Sequence, residues 1–224
     1  MNIIVKNLLK KRGSLAENEV KDLLTAYNIR TTKYKVVNSI NELNEIDLTF
    51  PVAIKVCSDK ILHKTDVNGV KLNIYDMESL KKYFKDFKTR FPGERILVDQ
   101  MEKQGTEIIV GLVQDSTFGL TIMFGIGGIF TELYKDVSFR VIPIEKYDAE
   151  QMIDEIKGKK LLEGFRGIKA NKDLVIDLIL KVSKIGEELI NVIDQMDLNP
   201  VFVYENDICV VDAKLILKDL KVNE

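Results

Sequence analysis

The sequence contains a single histidine, only two cysteines, and no apolar run near the ~18 residues that a membrane helix needs. With His63 alone, multi-histidine metal sites are excluded, and any imidazole chemistry has to use that one residue. Cys57 and Cys209 cannot supply a disulfide framework and point to reduced thiols in a cytoplasmic setting. The N-terminal stretch has basic residues on the far side of a short apolar run and no small-residue cleavage site, so it does not read as a secretory signal. Neither sign of charge dominates: 33 Lys+Arg stand against 35 Asp+Glu, interspersed, for a net charge of −2. No basic stripe is offered to a nucleic-acid backbone, which removes nucleic acid from the expected partners.

What is present reads as a globular chain of 224 residues, 46% apolar and 30% charged. Ser14-Leu15-Ala16-Glu17 has the form of a capping box, opening a helix with Val20, Leu23, Leu24 and Tyr27 on one face and Asn28 at its end. A strand follows at 31–37, a short helix at 38–46, and a β-branched strand at 51–56 that carries Lys55. The polar loop 57–69 precedes a strand at 70–74. Asp76 caps a helix with the stripe Met77, Leu80, Phe84 and Phe87, and another strand runs over 95–101. The polar segment 102–106 is the best boundary, giving lobes at 1–103 and 104–224. Beyond it come adjacent strands at 107–113 and 119–124, a strand near 138–143, helices at 149–157 and 174–190, and a closing hairpin at 198–204 and 208–217. Adjacent strands without intervening helices argue against a purely parallel sheet, so the expected class is mixed α+β in two lobes.

Five features could carry chemistry. If Glu205-Asn206 is a two-residue loop, Asn199 faces Asp212 across the last hairpin; if the loop is Asn206-Asp207, the pair becomes diagonal. One neutral and one anionic oxygen ligand suit a Mg²⁺ that takes its other ligands from water and phosphate, although an ordinary hairpin explains the same residues. Lys55, in an apolar strand, either snorkels to solvent or meets a phosphate as a point charge. His63 lies in a polar loop, close enough in sequence to Asp66 for that carboxylate to orient its ring, or it is a solvated bystander. The glycines of Gly125-Ile126-Gly127-Gly128 fit neither a P-loop nor a dinucleotide fingerprint, yet can offer backbone N–H groups to an anion or simply form a turn. Arg140 beside Asp136 reads as a phosphate contact or a surface ion pair.

Taken together, the stretches PVAIKVCSDKILHKTDVNGVKL, LVDQMEKQGTEIIVGLVQD, FGLTIMFGIGGIFTELYKDVSFRVIPI, LLEGFRG and DLNPVFVYENDICVVDAKL resemble the β subunits of the ADP-forming acyl-CoA synthetases. Those subunits are ATP-grasp domains, and the final hairpin is also similar to succinyl-CoA synthetase β subunits. The resemblance covers essentially the whole chain. Asn68 stands where such chains commonly have a second glycine.

The resemblance implies an ATP-grasp fold, two α/β lobes with a nucleotide cleft between them. Lys55 would hold nucleotide phosphate, Gln100 and Met101 would border the adenine, and Glu107 would follow on the nucleotide side. Gly127 and Gly128 would lie against phosphate, with Arg140 as a further phosphate contact, and Asn199 and Asp212 would hold Mg²⁺. His63, with Asp66, would be a phosphohistidine carrier passing phosphate to or from ATP/ADP. The reaction implied converts acyl-CoA, ADP and phosphate into free acid, CoA and ATP. Nothing in the chain resembles a CoA-binding fold, which implies a CoA-binding α subunit and an α₂β₂ heterotetramer. Two other readings use many of the same residues. A stand-alone ATP-grasp carboxylate ligase would have no need of His63, and a nucleotide-sensing regulatory module would bind nucleotide without turnover.

Overall fold

The computed structural model describes residues 13–61, 63–128, 135–164 and 170–218; parts of three quoted motifs, 62, 129–134 and 165–167, lie outside them. The chain folds as two units. One comprises Ser14–Glu19 and Thr32–Lys103; the other includes Val20–Thr31 and everything from Gln104.

The first unit holds a four-stranded sheet of β1 (Tyr34–Val37), β2 (Val52–Cys57), β3 (Val70–Ile74) and β4 (Arg95–Gln100), in the order β1-β4-β2-β3 and antiparallel throughout. Helix α2 (Met77–Arg90) buries Leu80, Phe84 and Phe87 against Val52, Ile54, Ile96 and Val98. Asp76 caps it, accepting from the Ser79 N–H at 2.7 Å. The other face of the sheet carries Ala53, Lys55, Cys57, Leu97 and Asp99, and meets the first turn of α1 (Glu17–Ala26) at Ala16 and Glu17.

That first turn departs from the expected capping box. The Ala16 N–H is capped by Glu19, at 3.2 Å, while the Glu17 carboxylate is buried against Lys55 and Lys64. A buried lysine leaves a carboxylate within reach little choice: pairing with it outweighs a cap that a neighbouring glutamate supplies equally well.

The second unit is built on β5 (Thr106–Asp115), β6 (Gly119–Ile126), β7 (Val137–Val141), β8 (Ile193–Val203), β9 (Ile208–Val210) and β10 (Ala213–Leu217). The order is β10-β8-β5-β6-β7, with β9 paired to β8, and all these ladders are antiparallel. Strands alternate their side chains between faces. Ile108, Val110, Leu112, Ile122 and Phe124 face helices α3 (Lys146–Glu155) and α4 (Lys172–Glu188), whose Met152, Ile153, Val175, Ile179, Val182 and Ile185 complete the core. Strand β8 starts earlier than the sequence suggests, at Ile193 rather than 198. In β7 the amphipathic pattern is inverted. Ser138 is buried on the helix side and bonded to Glu155, while Phe139 and Val141, on the other face, stay exposed.

Among the described residues, no helix is long and apolar enough to cross a membrane.

Candidate functional site

The closing hairpin sets the register on which the metal reading depends. Tyr204 donates its N–H to the Asp207 carbonyl, so the loop is Glu205-Asn206, and the pairs Val203–Ile208, Val201–Val210 and Leu198–Ala213 continue in one register. Asn199 therefore stands directly opposite Asp212, and its N–H donates to the Asp212 carbonyl at 3.1 Å. On the other side of β8 the pairing with β5 shifts between Ile108 and Val110, so Asn199 and Pro200, joined by a cis peptide bond, both oppose Ile109. A bulge of this kind re-aims side chains. Here it turns Asn199 outward on the face away from α3 and α4, between Leu198 and Val201, which are both buried in the core.

Two residues along the same strand face lies Asp197, which was not singled out in the sequence. It pairs with Lys214 on one side and Gly111 on the other, and its Oδ1 is buried with no hydrogen-bond partner. A Cβ on Gly111 would come within 2.8 Å of the Met196 carbonyl, so glycine is what lets β5 approach β8 there. Burial pushes the Asp197 carboxyl above its ordinary range; Lys214 opposes that shift and the nearby Asp212 charge adds to it. The period of two along a strand was the signal available in the sequence, since residues 197 and 199 share a face.

A raised carboxyl pKa means that folding favours the protonated form. The contribution is fully present below the unfolded value, ~3.9, and is lost as pH rises through the raised one. Asp197→Asn is expected to raise the thermal midpoint at pH 7, with the two proteins converging below about pH 4. Thermal unfolding at the two pH values checks this.

Glu107, Gly127 and Gly128 come together at one end of the same sheet face. The Gly127 N–H donates to the Glu107 carbonyl at 2.8 Å. A Cβ at Gly127 would lie 3.0 Å from the Glu107 Cβ, and Gly128 adopts φ +67°, the left-handed region natural to glycine. Gln104 donates to Glu107 Oε1 at 3.3 Å.

Arg140 lies apart from this group. Strand alternation places it on the helix side, where its guanidinium binds both oxygens of Glu155 and holds that carboxyl below its ordinary range. Asp136, the neighbour expected from sequence, instead accepts the N–H groups of Lys157 and Gly158, at 2.8 and 2.7 Å. The structure thus corrects the reading of Arg140 as a phosphate contact beside Asp136.

The remaining predicted residues belong to the first unit. Lys55 does not snorkel: its ammonium is buried, 2.7 Å from Glu17 Oε1 and 2.9 Å from Asp99 Oδ2, and Thr32 donates to the other Asp99 oxygen. Gln100 and Met101 spend their N–H groups on the Lys33 and Pro51 carbonyls, at 2.8 and 3.0 Å, and the Gln100 side chain accepts from the Thr49 N–H. His63 and Asp66 are both exposed. No hydrogen bond joins them, so Asp66 does not orient the ring as the sequence spacing suggested. The Cys57 thiol, pushed up mainly by burial and donating to Asn18 Oδ1, is not poised as a nucleophile.

The oxygen donors fit a magnesium ion of the kind proposed. Among the described residues, no cluster of three or more His, Cys, Asp or Glu could hold a metal by itself. Asn199 and Asp212 would supply two oxygen ligands in register, beside an orphaned carboxylate oxygen of Asp197. That set suits a cation that completes its shell with water and phosphate.

The fold has counterparts among known proteins. A family model described as an ATP-grasp domain matches residues 6–217, and the mixed α+β architecture is an ATP-grasp fold. The β subunit of acetate–CoA ligase (ADP-forming) II from Pyrococcus furiosus is 41% identical over 97% of this chain and 98% of its own length. Acetate–CoA ligase (ADP-forming) II from Archaeoglobus fulgidus is 39% identical over 92% of this chain, which spans 31% of that longer protein. A solved structure of Ca. Korarchaeum cryptofilum acetyl-coenzyme A synthetase 1 superposes with a TM-score of 0.81 at 40% identity, covering 96% of this chain and 98% of that one. It is described as a complex with coenzyme A and Mg-AMPPCP, its phosphohistidine segment pointing towards the nucleotide binding site. The chain belongs to the ATP-grasp family, among the β subunits of the ADP-forming acetate–CoA ligases.

Proposed function

We propose that this chain is the nucleotide-binding, phosphoryl-transferring subunit of an ADP-forming acyl-CoA synthetase, working in the cytoplasm with a CoA-binding α subunit in an α₂β₂ assembly. The observation that carries the reading is the hairpin register that sets Asn199 against Asp212, on the sheet face that also bears Glu107, Gly127 and Gly128. Relatives exist both as a separate β subunit of this length and as one part of a longer chain, which supports a partner that supplies the rest. Two buried free thiols suit a reducing compartment.

In this reading Asn199 and Asp212 hold Mg²⁺, whose chemistry when bound is to neutralise the charge of the nucleotide phosphates. Gly127 and Gly128 leave room for phosphate to approach the backbone, Glu107, Gln100 and Met101 belong to the nucleotide side, and Lys55, held between two buried carboxylates, serves as their counter-ion and not as a free charge for phosphate. His63 is the acceptor. A ring nitrogen of the neutral imidazole forms a bond to the γ-phosphorus of ATP as the bond to the ADP oxygen breaks, and the other ring nitrogen gives its proton to solvent. In the synthetic direction a β-phosphate oxygen of ADP takes the phosphoryl group back. The exposure of His63 leaves its ring open to an incoming phosphoryl group.

The test is to incubate the purified chain with Mg²⁺ and [γ-³²P]ATP, with and without an α subunit, using His63→Ala as the control. Acid-labile, base-stable label that disappears in the variant supports the reading. Full turnover by His63→Ala without α would instead favour a stand-alone carboxylate ligase, and nucleotide binding with neither label nor turnover would favour a sensing module.

A further inference from the structure

The loop that bears His63 is tied to the interior of the first unit through its next residue. The Lys64 ammonium reaches Glu17 Oε2, and the other oxygen of the same carboxylate, Oε1, is the one that holds Lys55 at 2.7 Å. The side chains of Glu17 and Lys55 are 2% and 5% exposed and that of Lys64 is 14% exposed, so this is an interior link and not a surface ion pair. The backbone beyond it is fixed as well. The Lys64 carbonyl accepts the Gly69 N–H at 2.6 Å, Asn68 donates to Thr65 at 3.0 Å, and the Gly69 carbonyl accepts from Val56 on β2 at 2.8 Å.

Gly69 has to be glycine for this turn to close, because a Cβ there would meet Val56 Cγ1 at 2.7 Å and the Lys64 carbonyl at 3.0 Å. Asn68 sits at φ +52°, where asparagine is better tolerated than most residues, and its carbonyl accepts from Arg90 at 2.9 Å. His63 is therefore the last residue before a rigid turn, about 3.8 Å along the chain from an anchored Cα.

We infer that Lys64, acting through Glu17, is a positioning residue for His63, and that the shared Glu17 carboxylate fixes the loop to Lys55. The inference rests on the phosphoryl-carrier reading of His63 given above. One anion between two ammonium groups makes the positions of both lysines depend on it. With Lys64 neutralised the loop loses its side-chain anchor, while Lys55 keeps Glu17 and Asp99. Misplacement of a reacting group by about 1 Å can cost on the order of 100-fold in rate.

The experiment compares wild type, Lys64→Met and Lys64→Arg. Three quantities are read for each: the rate of His63 labelling by saturating Mg-ATP, the Kd for ATP, and hydrogen exchange over residues 58–69. For Lys64→Met, labelling is expected to slow about 10- to 100-fold with the Kd within about threefold of wild type. Exchange over 58–69 should accelerate, and Lys64→Arg, which keeps the charge, should recover most of the labelling rate. Labelling of Lys64→Met at the wild-type rate overturns the inference. So does a loss of ATP binding in step with the loss of labelling, since that would mark a structural role. If wild type itself takes no label with or without α, it is the carrier reading of His63 that has failed. Hydrogen exchange then decides the tie alone, and unchanged protection in Lys64→Met and Glu17→Gln overturns it.

Discussion

Asp212→Asn should lower ATP formation by about two to three orders of magnitude while leaving the protein folded. The asparagine keeps the shape and an Oδ1 that can accept the Ala213 N–H, as Asp212 does at 3.0 Å. The backbone bond from the Asn199 N–H to the Asp212 carbonyl needs no side chain. What is lost is the anionic member of an oxygen pair whose other member, Asn199, is neutral. Phosphoryl transfer depends mostly on positioning and charge neutralisation, and loss of one electrostatic contact of this type commonly costs 10²–10³ in kcat. The thermal midpoint should move by no more than about 1 kcal/mol of stability, the worth of an ordinary hydrogen bond. Steady-state kinetics with the α subunit, beside a thermal melt, checks both parts. Activity within threefold of wild type would remove Asp212 from the site.

Lys55→Met should have the opposite profile, with stability hit first. Methionine fills much of the volume but removes the cation between two carboxylates, Glu17 and Asp99, that are 2% and 3% exposed. Breaking one partner out of a buried ionic group typically costs about 3–5 kcal/mol, because the remaining charges stay buried without full compensation. Lys64 still reaches Glu17 and Thr32 still reaches Asp99, which places the expectation toward the lower end. Urea unfolding should show a lower midpoint at unchanged slope. An unchanged midpoint would mean that Glu17 and Asp99 find other partners or take up protons at little cost.

The parts of the fold legible in the sequence are those written in local patterns. The stripe at Met77, Leu80, Phe84 and Phe87 behind the Asp76 cap gives α2, and the polar stretch before Val70 gives the His63 loop. The hairpin was legible as two alternatives, and the structure has the two-residue loop that brings Asn199 to face Asp212. What was not legible depends on partners remote in sequence. Glu17, Lys55 and Asp99 are separated by 38 and 44 residues, and only the sheet brings them together. The first half of β8 was missed because Asp194, Gln195 and Asp197 dilute its apolar signal, although Ile193 and Met196 are buried. Arg140 was misplaced because β7 turns Ser138 and Arg140 to the helices and leaves Phe139 and Val141 outside, the reverse of what apolar alternation suggests. Asp197 carried a usable signal, its spacing of two from Asn199, but no local rule says which strand face is the open one.

The hairpin loop also determines what kinds of change this chain can accept. Glu205 and Asn206 are exposed. Many side chains would serve in those positions, and surface turns are where insertions are usually absorbed. Here the tolerance is for identity and not for length. One added residue would slip β9 and β10 against β8, and a slip of one turns every side chain on those strands to the opposite face. Val210 and Leu215 would leave the core, and Asp212 would part from Asn199. A two-residue loop far from any chemistry thus acts as a ruler for the proposed metal site, conserving a distance while leaving its own sequence free to drift.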